Sequence, residues 1–335
     1  MEETNRTKYL EVKNLNTSFF LSGGRKVYAV RDANLELYNK ETLGIVGESG
    51  SGKSVLVKSI MRLINYPGVI ESGEILLNGQ NILKLSEKEM LKIRGRDMSM
   101  IFQEPMTALN PSFTIGWQIK EVFKLHGGVP KEKWDEAAIE LLKKVKIPDP
   151  EKRLNEYPHQ FSGGMRQRAL IAIALACNPQ ILFADEPTTA LDVTVQADIM
   201  DLLDELKRKS NISIVLISHN LNMVTERSDR IIVIYGGQIQ ESATAEEIVN
   251  NPMHPYTIGL MNSLPNIAEK NQKLTAIPGD PPDLTVIPQG CSFAPRCKYA
   301  TEKCFREQPE LVEVKPGHYC KCHQEFRREG GMTNG

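Results

Sequence analysis

Two stretches of the chain carry the residue types that phosphate chemistry requires, at spacings that can serve it. Gly47-Glu-Ser-Gly-Ser-Gly52-Lys53-Ser54 fits the pattern G-x-x-x-x-G-K-S. Gly47, Ser49, Gly50 and Gly52 form a loop whose backbone N–H groups can close around phosphate oxygens, and a helix beginning at the loop adds a favourable dipole. Lys53 in this pattern reaches the outer phosphates, and the Ser54 hydroxyl joins a Mg²⁺ shell. Far downstream, Ile181-Leu-Phe-Ala-Asp185-Glu186 sets two carboxylates at the end of an apolar run. Asp185 is placed to hold Mg²⁺ through water. Glu186 is placed to polarise an attacking water as general base, a role worth roughly 10²–10⁴-fold. Taken singly, the loop could be a Gly-rich turn and the acids a polar strand end; each makes the other's plain reading weaker.

The cysteines form a third group. Cys291, Cys297, Cys304, Cys320 and Cys322 crowd into a tail segment, while Cys177 stands alone on an apolar stretch and reads as a small buried hydrophobe. In a reducing compartment such a cluster is more often metal-binding than cross-linked. Four converging thiolates suit a [4Fe–4S] cluster or a structural Zn²⁺, with metal-free thiols as the third reading. The intervals between Cys291, Cys297, Cys304 and Cys322 lack the Cys-x₂-Cys pairs typical of zinc ribbons.

These groups need elements to position them. The first forty-odd residues alternate as β structure, punctuated at Ser22-Gly23-Gly24. Leu43-Gly-Ile-Val46 is a short run suited to a strand covered on both faces. Helical spacing follows over Lys53 to Ile64. Residues 104–178 are richer in helical patterns (Trp134 to Lys146, Arg166 to Ala176) and read as a helical insertion. Ile181 to Ala184 and Ile212 to Ile217 are buried strands joined through a helix over Val195 to Lys209, which implies parallel βαβ units. Ile231 to Glu241, broken at Gly236-Gly237, reads as a closing hairpin. Prolines then become frequent, so residues 251–335 read as a separate appendage holding the cysteines, disordered from about Arg327. The fold expected is α/β: a phosphate-loop NTPase core of RecA-like type over 1–250, with an N-terminal antiparallel β region, the helical subdomain and the small Cys-rich extension.

Phe161-Ser162-Gly163-Gly164-Met165-Arg166-Gln167-Arg168 resembles the signature motif of ABC ATPases, usually Leu-Ser-Gly-Gly-Gln, with departures at Phe161 and Met165. Ser162 can cap the following helix, and Gly163 and Gly164 let another molecule's phosphate approach. Other matches fall in the family's order. Phe102-Gln103-Glu104-Pro105 resembles the Q-loop, implying that Gln103 senses Mg²⁺ or water. Ala190-Leu191-Asp192 resembles the D-loop, which contacts the opposite protomer. Ile217-Ser218-His219 resembles the H-loop, implying that His219 donates to the γ-phosphate. The family's adenine-stacking aromatic aligns with Phe19, with Tyr28 as runner-up. The resemblance implies ATP as substrate, Mg²⁺ as cofactor, and head-to-tail pairing of two protomers, each phosphate loop facing the other's Ser162-Gly163-Gly164.

The tail narrows the resemblance. Asn251-Pro-Met-His254-Pro255-Tyr256-Thr257, Pro278-Gly-Asp-Pro-Pro282, Gly290-Cys291 to Arg296-Cys297 and Gly317-His318 to Cys322-His323 are similar to the extension of oligopeptide and dipeptide importer ATPases. That resemblance implies bacterial uptake of small peptides, with nickel or another solute as the alternative cargo. The family carries cysteine at Cys291, Cys297, Cys304 and Cys322, whereas Cys320 stands where Val is more usual. Some relatives hold a [4Fe–4S] cluster there, which favours that reading over zinc. Implied partners are two transmembrane permease subunits, a second ATPase (a paralogue, or a homodimer in isolation) and, indirectly, an extracytoplasmic peptide-binding protein.

Bulk properties agree with these expectations. Lys+Arg is 41 against Asp+Glu 42, so no basic field recruits nucleic acid. The longest apolar stretch, Ala169 to Cys177, is too short to span a bilayer, and the N-terminus shows no secretory pattern. The expected location is peripheral, on the cytoplasmic face of the membrane. Rival readings are a soluble ABC ATPase of DNA repair or translation, and an iron–sulfur redox sensor with vestigial ATPase motifs. The first usually carries coiled-coil insertions or two cassettes in one chain. The second conflicts with intact Lys53, Asp185, Glu186 and His219.

Overall fold

Alternating apolar and polar residues draw the N-terminal segment into two long strands, β1 (Lys8–Phe20) and β2 (Lys26–Tyr38), with Leu10, Val12, Leu15, Leu35 and Leu37 buried. In the computed structural model, residues 7–103, 105–189, 191–263 and 277–324 are described. Glu104, Ala190 and the tail from Arg327 therefore lie outside the described residues. After β3 (Thr42–Val46), β4 (Gly68–Leu77) and β5 (Gln80–Asn81) return to the first pair and complete an antiparallel sheet ordered β2-β1-β4-β5.

The site rests on a second sheet, built from β3, β6 (Met98–Ile101), β7 (Ile181–Asp185), β8 (Ser213–Ile217), β9 (Arg230–Tyr235), β10 (Gln238–Thr244), β11 (Val312–Lys315) and β12 (His318–Cys320). Its order among the described residues is β11-β12-β10-β9-β3-β8-β7-β6. The strands from β9 to β6 run parallel. In β3, β7 and β8 every residue is buried, and alternate side chains serve opposite faces. Leu43, Ile45, Phe183, Val215 and Ile217 join one core, while Val46, Leu182, Ala184, Ile214 and Leu216 join the other. Continuous apolar runs of this kind are what a sheet covered on both sides demands.

Helix α1 (Lys53–Ile60) follows the phosphate loop and buries Leu56, Val57 and Ile60; α2 (Glu87–Ile93) begins at a Ser86–Glu89 capping box. Between β6 and β7 lie α3 (Pro105–Ala108), α4 (Ile115–His126), α5 (Trp134–Lys144), α6 (Pro150–Arg153) and α7 (Gly163–Leu175). Ile119, Phe123, Ala138, Leu142, Ala169 and Ile171 pack this helical region against the sheet core. α8 (Val193–Ser210), capped by Asp192, links β7 to β8; α9 (Leu221–Arg227) and α10 (Ala245–Asn250) follow the later strands. Cys177 sits past the end of α7 and is only half-buried, so it is not the core residue the apolar stretch implied.

The C-terminal segment, with α11 (Pro255–Asn262) and α12 (Glu302–Arg306), is not the separate appendage its prolines implied. β12 pairs antiparallel with β10, placing Cys320 opposite Glu241 and Tyr319 opposite Ser242. Tyr256 and Phe293, both buried, pack with Tyr235 of the sheet at ring separations of 4.5–5.4 Å. The prolines end the strand–helix alternation, yet backbone pairing and aromatic burial return the tail to the core.

Candidate functional site

The parallel register brings the candidate residues together. Ile45 pairs with Ile217, Asp185 with Ile217, and Ile101 with Ala184, so β3, β8, β7 and β6 end at one edge. The phosphate loop, His219, Glu186 and Gln103 leave from those ends, where open parallel sheets bind ligands. Loop closure needs glycine at two places. Gly47 has φ +152°, and a Cβ there would lie 2.1 Å from the Ile234 carbonyl oxygen; at Gly52, with φ +104°, it would lie 2.3 Å from that of Ala29.

Lys53, 6% exposed, turns back over the loop and donates to the carbonyl oxygens of Gly47 at 2.8 Å and Glu48 at 2.9 Å. Burial lowers its pKa, and Glu186, Asp185 and Glu48 oppose that shift. The ammonium is thus held ready for an anion. Ser54 donates its hydroxyl to Asp185 Oδ1 at 2.8 Å. Burial raises the Asp185 carboxyl, opposed by the Ser54 bond and by Lys58 and Lys53. The Ser54 hydroxyl and Asp185 carboxylate are adjacent hard oxygens, the ligand type that Mg²⁺ prefers.

Glu186 is the hub of the site. Its Oε2 accepts from Gln103 Nε2 and from Thr189 Oγ1, each at 2.9 Å, and lies 3.4 Å from His219 Nδ1. The backbone N–H of Glu186 donates to the Ile217 carbonyl at 2.9 Å, and its φ of +49° is unusual for a residue with a side chain. Three strand ends thus meet on one carboxylate. Thr189 was missed in the sequence; the hydroxyl three residues beyond a strand-end acid was the available signal. Gln103 presents its amide to Glu186 here, which leaves its carbonyl oxygen for Mg²⁺ or water.

Ser162 caps α7, accepting from the Met165 N–H at 3.3 Å, and is exposed with Gly163. A Cβ at Gly163 would lie 3.4 Å from Leu191, and one at Gly164 would lie 2.8 Å from Val195. This motif therefore borders the region of Leu191 and Asp192, and the contacts that build the phosphate site come from other residues. Phe19, half-buried on β1, packs its ring against Gly68, where an added Cβ would fall 2.7 Å from the Phe19 ring edge.

Cys291, Cys297, Cys304 and Cys322 line one pocket with His254, Phe293 and Tyr299. Burial pushes the thiols of Cys291 and Cys297 up and that of Cys322 to about 11, and neighbouring thiols add to each. Burial likewise raises Cys320, which stands on β12 opposite Glu241. Among the described residues, no three His, Cys, Asp or Glu side chains close on a single metal ion.

A Gly-rich loop, a buried lysine, a hydroxyl–carboxylate pair and a strand-end glutamate define a phosphate-loop ATPase, and the Ser162-Gly163-Gly164 motif opening α7 narrows it to the ABC class. Residues 30–189 match the family model described as ABC transporter, and residues 240–304 match that of the oligopeptide/dipeptide transporter C-terminal region. The oligopeptide transport ATP-binding protein of Bacillus subtilis is 51% identical over 94% of this chain and 88% of its own length. The dipeptide transport ATP-binding protein of Escherichia coli K12 is 50% identical, over 88% of this chain and 90% of its own. A dimeric ATP-binding cassette solved in a post-hydrolysis state with ADP and Pi superposes with a TM-score of 0.62 at 31% identity, covering 70% of this chain and 98% of that one. The chain belongs to the family of oligopeptide and dipeptide transport ATP-binding proteins, and it is an ATP-hydrolysing enzyme.

Proposed function

We propose that this ATPase powers import of dipeptides and oligopeptides from the cytoplasmic face of the membrane. In this reading it works peripherally, with two transmembrane permease subunits and a second ATPase of its own class. No helix among the described residues is long and apolar enough to cross a membrane. The observation that carries the catalytic reading is the convergence of Gln103, Thr189 and His219 on Glu186 beside the phosphate loop.

The residues divide the work. Backbone N–H groups of the loop and Lys53 bind the β- and γ-phosphates, and Lys53 exchanges its carbonyl partners for phosphate oxygens. Ser54, Asp185 through water, and Gln103 would hold Mg²⁺, which would supply charge neutralisation at the phosphates. Glu186 accepts a proton from the attacking water, and Thr189 and Gln103 fix the carboxylate that does so. His219 donates toward the γ-phosphate. Ser162, Gly163 and Gly164 of a partner protomer would cover the same nucleotide, in keeping with the exposure of Ser162 and Gly163 in one chain. Phe19 is the proposed adenine platform; Phe19→Ala should raise the KM for ATP more than Tyr28→Ala does. Residues 1–250 form the nucleotide-binding domain in this division, with its helical subdomain at 104–178, and 251–335 form the extension.

In the extension, Cys291, Cys297, Cys304 and Cys322 are proposed to hold a [4Fe–4S] cluster. Tetrahedral zinc requires four sulfurs about 2.3 Å from one point; a cluster instead takes each thiolate on a different iron. The reading draws on the resemblance at these four positions and on the four thiols lining one pocket, while no three ligand side chains among the described residues close on one metal ion. Its role is structural, adding stability to a segment with little apolar core of its own. Anaerobic purification with iron and acid-labile sulfide assays tests this; a colourless protein carrying zinc would refute it. For the transport reading, the chain should co-purify with two integral membrane subunits, and peptide uptake in cells should stop when Glu186→Gln replaces the native subunit. Uptake continuing at the native rate would overturn it.

A further inference from the structure

The phosphate loop is gripped from the C-terminal extension. Glu48, the residue after Gly47, points its carboxylate at Arg296, whose Nη1 and Nη2 donate to Oε2 and Oε1 at 2.8 and 3.1 Å. The Arg296 side chain is 7% exposed. Its Nε donates to the Pro278 carbonyl at 2.8 Å, Nη2 also to that of Ile277 at 3.3 Å, and Nη1 also to the Tyr235 hydroxyl at 3.2 Å. Every guanidinium N–H site thus faces an acceptor. The backbone N–H of Glu48 donates to the Tyr256 hydroxyl at 2.9 Å, and the Glu48 carbonyl accepts from Lys53. Side chain, N–H and carbonyl of one loop residue are all held, two of them by the extension. Pro281, Pro282 and Leu284 line one pocket with Ser49, Gly50 and Ser51.

An exposed ion pair would carry little meaning. This one is bidentate, enclosed and fixed to backbone carbonyls, the geometry in which an Arg–carboxylate pair dictates orientation. A phosphate loop works only when several N–H groups point at one place, so fixing the Glu48 peptide fixes the backbone from which that array follows. Tyr256 holds the Gly47–Glu48 peptide on whose carbonyl Lys53 rests, and Arg296 holds the Glu48 side chain.

We propose that Arg296 and Tyr256 are positioning residues of the ATP site, so that the extension sets the phosphate loop in its binding shape. The inference rests on ATP binding at the loop and is independent of cargo and of the thiol pocket's contents. The test uses the full chain, titrated with a fluorescent ATP analogue and Mg²⁺, with steady-state ATPase kinetics alongside. Arg296→Met should weaken nucleotide affinity about tenfold while kcat at saturating ATP changes less than about twofold, because the grip orients binding groups and not the attacking water. Arg296→Lys, which cannot form the bidentate pair, should restore only part of the affinity. Glu48→Gln should match Arg296→Met, and the double variant should be no weaker than either single one. Tyr256→Phe keeps the packing and removes one hydroxyl, so it serves if Arg296→Met fails to fold; about a threefold loss is expected. Unchanged affinity in folded Arg296→Met or Tyr256→Phe, or multiplicative losses in the double variant, would overturn the proposal.

Discussion

Replacing Glu186 by Gln isolates the chemistry from the architecture. The side chain keeps its length, and its remaining carbonyl oxygen can still accept from Gln103 Nε2 or Thr189 Oγ1, both 2.9 Å from Oε2 in the native chain. What disappears is basicity. General-base assistance of roughly 10²–10⁴-fold corresponds to about 3–5 kcal/mol of barrier. The cost to the ground state is smaller: two hydrogen bonds to a charged acceptor become neutral, about 1 kcal/mol each. Part of that is offset, because Glu186 also raises the neighbouring Asp185 carboxyl by like-charge repulsion. ATP affinity should therefore hold or rise, since one negative charge beside the γ-phosphate is gone. Phosphate release at saturating MgATP should fall at least a hundredfold, while ATP-dependent dimers accumulate on size exclusion with light scattering. Thr189→Val, which only loosens the carboxylate, should cost about threefold. A folded Glu186→Gln chain hydrolysing within about tenfold of the native rate would refute the assignment of the base.

Gly52→Ala should abolish nucleotide binding in an equilibrium titration while the fold persists, because φ of +104° and a Cβ 2.3 Å from the Ala29 carbonyl force the loop open. Glu241→Ala should lower stability by about 3–5 kcal/mol in urea melts, since this fully buried acid accepts from the N–H groups of Met253 and His254 and pairs with His318 Nε2 at 2.7–2.9 Å. His254 is buried and caps α11 through Nδ1; burial takes its pKa down to about 4 from 6.5, with Glu241 opposing. Only the unfolded imidazole gains a proton between those values, so this contribution is complete above 6.5 and is lost as pH falls toward 4, by about 3 kcal/mol in all. His254→Asn, which still caps and does not titrate, should show a correspondingly flatter stability profile over that range.

The catalytic edge was legible because its parts are local. The strands β3, β7 and β8 are largely apolar runs, and each ends at or within two residues of one whose chemistry is distinctive: Gly47, Asp185 and His219. β6 was harder. Met98-Ser-Met-Ile is only four residues long and follows Arg94-Gly-Arg-Asp97, so its strand character comes from pairing with β7 and not from its own pattern. β4 alternates weakly, with Glu71, Ser72 and Glu74 in its middle, and owes its place to Leu76 and Ile75 beside β1. The four cysteines could be grouped by type and crowding, but their meeting in one pocket needed the fold. Glu48 and Arg296 stand 248 positions apart, and nothing in the neighbourhood of either residue points to the other.

That last pair alters how the extension must be understood. A proline-rich tail with few apolar residues would ordinarily be dispensable to a nucleotide site. Besides its strand pairing and the packing of Tyr256 and Phe293 on Tyr235, it docks through directional polar contacts at two fixed points. One is Glu241 on β10, a core-strand acid that receives Met253, His254 and His318. The other is Glu48 in the phosphate loop, which receives Arg296 and Tyr256. Both acids belong to the ATPase core and most of their partners to the tail. Removing the tail would strip one carboxylate of its donors and leave the other free to swing with the loop. Apolar docking tolerates sliding, but charge-assisted hydrogen bonds specify orientation. The tail is therefore part of what gives the phosphate loop its shape, and the nucleotide site extends from Gly47 to Arg296.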